Sequence, residues 1–293
     1  MKKQGLGIAM ILLAAVMWGT IGTLTRGLGA LGFASLSLIF YRSLSTALIL
    51  LVLILMRDRS LLKVRVRDLW IFFGSGVISF FLFNVCYMLS IGMNSLAVSA
   101  ILLYTAPIFV MLFSIVFFRE SFTAKKAIAL ALAVAGCTMV SFGDEMQITT
   151  KGLLLGLASG LGYALYSIFG TVALRKYHTL TITFYTFVFS SVAAISVADF
   201  PQSLPLFAQH PIHIPLVLLF CVWVTLLPYL LYTAGLATNS ASVASIVSCV
   251  EPVVAAVLGF AVFQEEMSWL GLLGIFAVLG AIVLLQVKGK REE

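Results

Sequence analysis

Charge is scarce in this sequence. Asp, Glu, Lys and Arg make up 10% of 293 residues, while 62% are hydrophobic. A soluble domain keeps roughly a quarter of its residues charged to stay solvated, so a soluble fold is excluded. Polar stretches long enough to fold between the apolar runs are also missing. Four cysteines, Cys86, Cys137, Cys221 and Cys249, all fall inside apolar runs without metal-ligand or disulfide-framework spacing. They read as small buried apolar residues. The three histidines, His178, His210 and His213, lie in or near predicted loops, again without metal spacing. There is no HExxH, no Cys/His cluster and no acidic pair at headgroup depth, which argues against a membrane-embedded enzyme. No metal and no cofactor are expected. The net charge of +7 is spread over short loops and forms no basic domain, which excludes nucleic acid as a partner.

Long apolar runs fill the remainder. About 20 residues at 1.5 Å rise cross a ~30 Å hydrocarbon core. The runs predict ten helices near 6–26, 33–56, 68–91, 96–118, 124–142, 151–173, 180–200, 213–236, 240–263 and 269–288. The longest breaks fall at Arg57–Asp68, Gly143–Thr150 and Pro201–Pro211. The N-terminal run is as long as a full span and exceeds a signal-peptide core of about 7–15 residues, so it reads as the first helix. With a cytoplasmic N-terminus, inner segments carry fifteen Lys and Arg and outer segments carry two, Arg26 and Lys151. Such a bias sets orientation. The expectation is a multi-pass protein of the cell membrane with both termini cytoplasmic.

An internal repeat organises the chain. A shift of 145 residues, without gaps, lays Trp18 on Tyr163, Tyr87 on Tyr232, Asn94 on Asn239, Ser95 on Ser240, Pro107 on Pro252 and Glu120 on Glu265. NSLAVSAILLYTAP thus matches NSASVASIVSCVEP. Two units, 1–145 and 146–293, each hold five helices. Five is odd, so the second unit enters the membrane upside down. The fold class is therefore an all-α integral membrane protein of ten transmembrane helices in two inverted five-helix repeats. Inverted repeats suit secondary transporters, because rocking one half on the other opens a central site to alternate sides.

Two charges lie deep in helices. Glu251 sits about a dozen residues into the ninth helix, where a carboxylate costs several kcal/mol unless paired, hydrated or protonated. It reads as a protonatable coupling site or an ammonium contact, or else as a structural hydrogen bond between helices. Its repeat mate is Ala106, so the shared fold does not require an acid. Arg42 lies roughly 13 Å below the outer end of the second helix. It reads as a cavity cation that attracts a carboxylate or pairs with Glu251, or as a cap on backbone carbonyls; its mate is Phe187. Pro107, Pro228 and Pro252 interrupt the fourth, eighth and ninth helices and predict kinks that free the carbonyls of Leu103, Val224 and Ser248. These kinks serve either the transport site or packing alone. Thr225, Tyr229 and Tyr232 share a face of the eighth helix, and their mates on the third are Phe80, Asn84 and Tyr87. Trp18 matches Tyr163, with Tyr166 one turn further on. Aromatic residues with polar tips suit an amphipathic ligand, although each taken singly also suits interhelical packing. The candidate substrate-binding set is Trp18, Arg42, Asn84, Tyr87, Tyr104, Tyr163, Tyr166, Tyr229, Tyr232, Ser248 and Glu251. Glu120 and Glu265 read as headgroup-level charges at symmetric helix ends, with Thr123 and Ser268 as the following caps.

Together, WG at Trp18–Gly19, Arg42 within FYRSLSTALILL, TAP at Thr105–Pro107, FFRE at 117–120, EP at Glu251–Pro252 and Glu265 before Trp269–Gly274 make the chain resemble the drug/metabolite transporter superfamily, in its EamA-type branch. The resemblance spans essentially the whole chain. It implies ten helices, cytoplasmic termini and a cavity lined mainly by helices one, three, four, six, eight and nine. It also implies export of small metabolites, often amino acids or related compounds.

The reading that follows is a secondary transporter exporting small amphipathic metabolites by alternating access, with Glu251 as a plausible proton carrier. Facilitated exchange is equally compatible. A nucleotide-sugar or lipid-linked carrier would call for several cavity cations, and only Arg42 qualifies. A non-transporting membrane subunit leaves the buried charges without a purpose. The expected partners are a small-molecule substrate and the lipid bilayer; one chain suffices for a pathway, and its oligomeric state is left open.

Overall fold

The computed structural model describes residues 2–142, 148–264, 266 and 268–286. All regular structure among them is helical, as hydrocarbon demands: a helix satisfies its own backbone N–H and C=O groups where water cannot. Among the described residues nine helices are long and apolar enough to span a membrane: α1 (Lys3–Ala30), α2 (Ser35–Arg57), α3 (Val66–Ile91), α4 (Leu96–Phe118), α5 (Ala124–Ser141), α6 (Thr150–Leu174), α7 (Thr179–Val197), α8 (His213–Leu236) and α9 (Ala241–Phe263). The shorter apolar helix α10 (Trp269–Gln286) is the tenth. The unit boundary at 145/146, Glu265, and the C-terminal Lys288, Lys290 and Arg291 lie outside the described residues.

Contacts sort the helix ends into two layers. At one end Lys176 pairs with Asp68 at 2.6 Å, Tyr185 donates to the Leu62 carbonyl, Arg175 lies over Phe118, and Asn239 reaches the Gln4 carbonyl. This end carries the Lys/Arg-rich connections and is called the basic end. At the other end Gln202 donates to the Gly32 carbonyl and Asn94 accepts from the Thr149 amide. Successive spans are therefore antiparallel. Four extensive helix contacts, α5 with α10, α2 with α7, α1 with α8 and α3 with α6, all cross between the repeats. The repeat operation maps the first two pairs onto themselves and exchanges the last two.

The α5–α10 contact shows how closely the halves fit. A Cβ on Gly136 would stand 2.7 Å from the Gly274 carbonyl oxygen, and one on Gly274 the same distance from the Gly136 carbonyl. Their repeat mates, Ala281 and Ala129, are fully buried. Small residues replace the hydrophobic effect as the basis of helix association in lipid, because they admit close van der Waals packing.

Two expectations need correction. The first helix does not stop near residue 26; it continues to Ala30, bending at Thr20, whose hydroxyl donates to the Met17 carbonyl at 2.7 Å and competes with the helical ladder. Pro201–Pro211 is not an open break, because Phe200–Gln209 is a helix. Asp199 caps it by accepting from the Gln202 amide, and Pro201 stands in the first turn, where its missing N–H costs nothing. Proline does not explain all the irregular turns. The π-helical turn Val222–Leu226 precedes Pro228, but α3 carries one at Gly74–Phe81 with no proline. The two overlap under the 145-residue shift, so the wide turn belongs to the repeat rather than to Pro228.

Candidate functional site

α4 and α9 break at equivalent places. α4 consists of Leu96–Leu103 and Ala106–Phe118, joined by a turn at Tyr104–Thr105. α9 consists of Ala241–Ser248 and Val250–Phe263, joined at Cys249. Pro107 and Pro252 sit just past the breaks, where the first turn of a half-helix tolerates proline. The second break places Glu251 in the opening turn of its half-helix, where the N-terminal end of the helix dipole favours a negative charge. Helix α1 passes very close: a Cβ on Gly19 would fall 2.8 Å from the Glu251 carbonyl oxygen. The WG pair thus has a physical basis. Glycine admits the backbone of α9, and Trp18 faces the centre.

Trp18 is buried among three tyrosines, with ring centroids 6.2 Å from Tyr163, 5.1 Å from Tyr229 and 5.4 Å from Tyr232. Tyr166 meets Tyr229 edge-on at 4.9 Å. Each of three phenols spends its hydroxyl on a polar neighbour: Tyr166 shares a hydrogen bond with Thr233 at 2.8 Å, Tyr232 with Ser167 at 2.6 Å, and Tyr163 donates to the Glu251 carboxylate at 2.9 Å. Tyr104 and Tyr87, both half-buried, approach the same carboxylate. Trp18, Pro107, Tyr163, Tyr166, Tyr229, Tyr232 and Ser248 line a central cavity of about 20 Å³, room for about one water molecule.

Arg42 is buried at the far side of this aromatic group. Its Nε donates to Thr225 at 2.7 Å, and its guanidinium lies over the Phe80 ring at 5.5 Å. Pairing with Glu251, one of the readings of Arg42, is absent: among the described residues no ion pair joins them. A succession of rings intervenes, with Phe80 against Tyr229 at 5.3 Å, Tyr229 against Trp18, and Trp18 against Tyr163, which holds the carboxylate. Arg42, Tyr87, Tyr104 and Glu251 lie outside the cavity lining, and so does Asn84. Its amide donates to the Phe80 carbonyl at 2.7 Å, on the wide turn of its own helix. Thr225, Ser167 and Thr233 were not among the candidate site residues. Spacing held a signal for all three: Thr225 shares a face with Tyr229 and Tyr232, Ser167 follows Tyr163 by one helical turn, and Thr233 follows Tyr229 likewise.

The basic end is sealed beneath the cavity. Ile11, Ala14, Val110, Leu236, Ala244 and Val247 are buried there. Glu120, at the end of α4, accepts a hydrogen bond from Ser242 in the first turn of α9 and pairs with Lys126 at 3.1 Å. Thr123 caps α5 by accepting from the Lys126 amide, and Ser268 accepts from the Gly271 amide. Towards the opposite end, Glu251, Tyr87, Tyr104 and Tyr163 remain half-buried.

Among the described residues, ten apolar helices in two inverted halves, two of them broken beside a half-buried carboxylate, define a membrane transporter. The profile of the EamA-like transporter family matches residues 5–142 and again 150–287, a displacement of 145 residues at both ends. The chain belongs to that family. An Archaeoglobus fulgidus protein called an uncharacterized transporter is 28% identical over 95% of each chain. The uncharacterized transporter YetK of Bacillus subtilis is 24% identical over 86% of this chain and 78% of its own length. One solved crystal structure superposes with a TM-score of 0.79 over 96% of both chains at 15% identity, which shows the shared fold.

Proposed function

We propose that the protein exports small amphipathic metabolites, such as amino acids or related compounds, across the cell membrane by alternating access, with Glu251 as the proton carrier. The observation that carries this reading is the position of Glu251: a carboxyl at a helix break, held by Tyr163, whose ring lines the aromatic cavity. Intramembrane ionisable groups line ion and substrate pathways far more often than they serve packing. Arg42 beyond the ring succession supplies the opposite pole, so a carboxylate and an ammonium on one apolar body would each find a partner. A single guanidinium suits that ligand better than a phosphorylated one, which asks for several cations.

A metabolite pocket usually has ~300–1,000 Å³, whereas the cavity has about 20 Å³. The halves must therefore part to admit substrate. The breaks at Thr20, Tyr104–Thr105 and Cys249 are the hinges such a motion would use. Positive-inside bias supports a cytoplasmic basic end; export is the direction the family resemblance implies.

The test uses protein reconstituted in vesicles with a pH-sensitive dye inside and candidate amino acids applied under a gradient. Wild type is expected to couple substrate movement to proton movement. Glu251→Gln is expected to abolish the proton signal. Unchanged coupling in that variant removes Glu251 from the mechanism.

A further inference from the structure

The central site leaves a second polar recess unused. At the basic end, the α2–α3 connection of the first repeat meets the α6–α7 turn of the second. Between them opens a recess of about 530 Å³ lined by Lys63, Val64, Arg65, Asp68, Lys176 and Tyr177. Three cations face one carboxylate, and that carboxylate is already engaged: Asp68 accepts from Lys176 and from Tyr177, each at 2.6 Å. Lys63 and Arg65 are exposed, and their side chains take no part in the hydrogen bonds that hold the recess together. Asp58, on the same connection, offsets part of the charge of Lys63, but the lining keeps three cations against one carboxylate, an excess that suits a phosphate-bearing anion.

The surface beside the recess identifies the source. Val66, next to Arg65, is 81% exposed and Trp70, one turn into α3, is 57% exposed, its ring against Phe169 of α6 at 6.1 Å. A tryptophan at the end of a spanning helix marks the headgroup level of the bilayer. Basic pockets beside an apolar, lipid-facing wall suit anionic headgroups. We propose that this recess binds the headgroup of an anionic phospholipid, with Lys63 and Arg65 on the phosphate and the acyl chain along Val66 and Trp70. Because its walls come from both repeats, the bound lipid clamps the basic end shut. This site is independent of the substrate reading, since it shares no residue with the central cavity.

Native mass spectrometry and thermal unfolding of the detergent-purified full chain test it, with added phosphatidylglycerol, phosphatidylcholine or inorganic phosphate as probes. Phosphatidylglycerol is expected to be retained and to raise the unfolding temperature; phosphatidylcholine is not. Lys63→Gln with Arg65→Gln should weaken retention at least about tenfold. Arg57→Gln with Arg59→Gln, on the same connection but outside the recess, should leave it unchanged. Trp70→Ala should weaken the lipid and leave phosphate alone. Equal loss in both double variants would reduce the effect to general surface charge and overturn the site. An equal shift with inorganic phosphate would overturn the lipid as its ligand.

Discussion

The breaks in α4 and α9 share a backbone but not a chemistry. Both helices divide in the same register, and both place a proline just after the break. One has Ala106 ahead of that proline, buried in the core; the other has Glu251 bonded to Tyr163. The same asymmetry recurs at Arg42, whose repeat mate Phe187 is fully buried against Phe80 and Tyr229. Duplication fixed the scaffold, because each half packs against the other through the same contacts. The charges were placed once each, where packing does not call for them. The comparison therefore separates the scaffold that both repeats share from two charges that the scaffold does not repeat.

The largest effect should come from the acid itself. Glu251→Gln is expected to abolish proton coupling, while Ala106→Ser at the mate should leave coupled transport within about twofold, less than 0.5 kcal/mol by rate arithmetic. Equal losses at both positions would mean that the break, and not the carboxyl, carries the function. Next comes the scaffold. Gly136→Leu drives a side chain into the Gly274 carbonyl and should cost several kcal/mol, since overpacking costs about 1–3 kcal/mol even for modest insertions. The readout is a lower unfolding temperature or loss of folded protein in detergent. Its mate is already alanine, so Ala281→Gly should shift unfolding only slightly.

Arg42 lies between these extremes. Arg42→Met retains an apolar stem against Phe80 but removes the cation and leaves Thr225 without its donor. Transport of a substrate bearing a carboxylate should fall roughly tenfold, about 1.4 kcal/mol, with a smaller change in unfolding temperature. An analogue lacking the carboxylate should be transported equally by both proteins. Equal losses for both substrates would assign Arg42 to packing.

Much of this contrast was legible in the sequence. Hydropathy gives the spans, because a helix must be apolar along the thickness of the bilayer, and the 145-residue shift gives the repeat. Glu251 and Arg42 stood out because lipid penalises charge. Their separation was not legible: a pair was one of the readings of Arg42, while the fold interposes Phe80, Tyr229, Trp18 and Tyr163. Which faces meet depends on helix rotation, and a helix apolar on all sides encodes little of that. The contact of Asn84 was not legible for the same reason: its amide donates to the Phe80 carbonyl on a wide turn that no proline announces. The helix Phe200–Gln209 was missed because its prolines suggested a break, although Asp199 as cap and Pro201 in the first turn favour a start.

The smallest effect contrasts the two ends of the pathway. The basic end is tied across the repeats by Glu120 and Ser242, with Lys126 alongside, whereas Glu251 nearer the opposite end stays half-buried. Partial burial pushes the Glu120 carboxyl upward, but the hydrogen bonds from Ser242 and Lys126 and the lysine charge outweigh it and hold the group below its ordinary value of 4.5. A carboxyl lowered in the folded state binds its proton more weakly than the unfolded chain does. Its stabilisation is therefore present above pH 4.5 and is lost as pH falls through the depressed value. Glu120→Gln should unfold at a slightly lower temperature than wild type at neutral pH, and the two curves should converge in acid. A constant gap at every pH would assign the effect to shape and not to the ionised tie. A gap that widened in acid would reverse the sign and place the seal's strength elsewhere, in the buried apolar contacts of Ile11, Val110 and Val247.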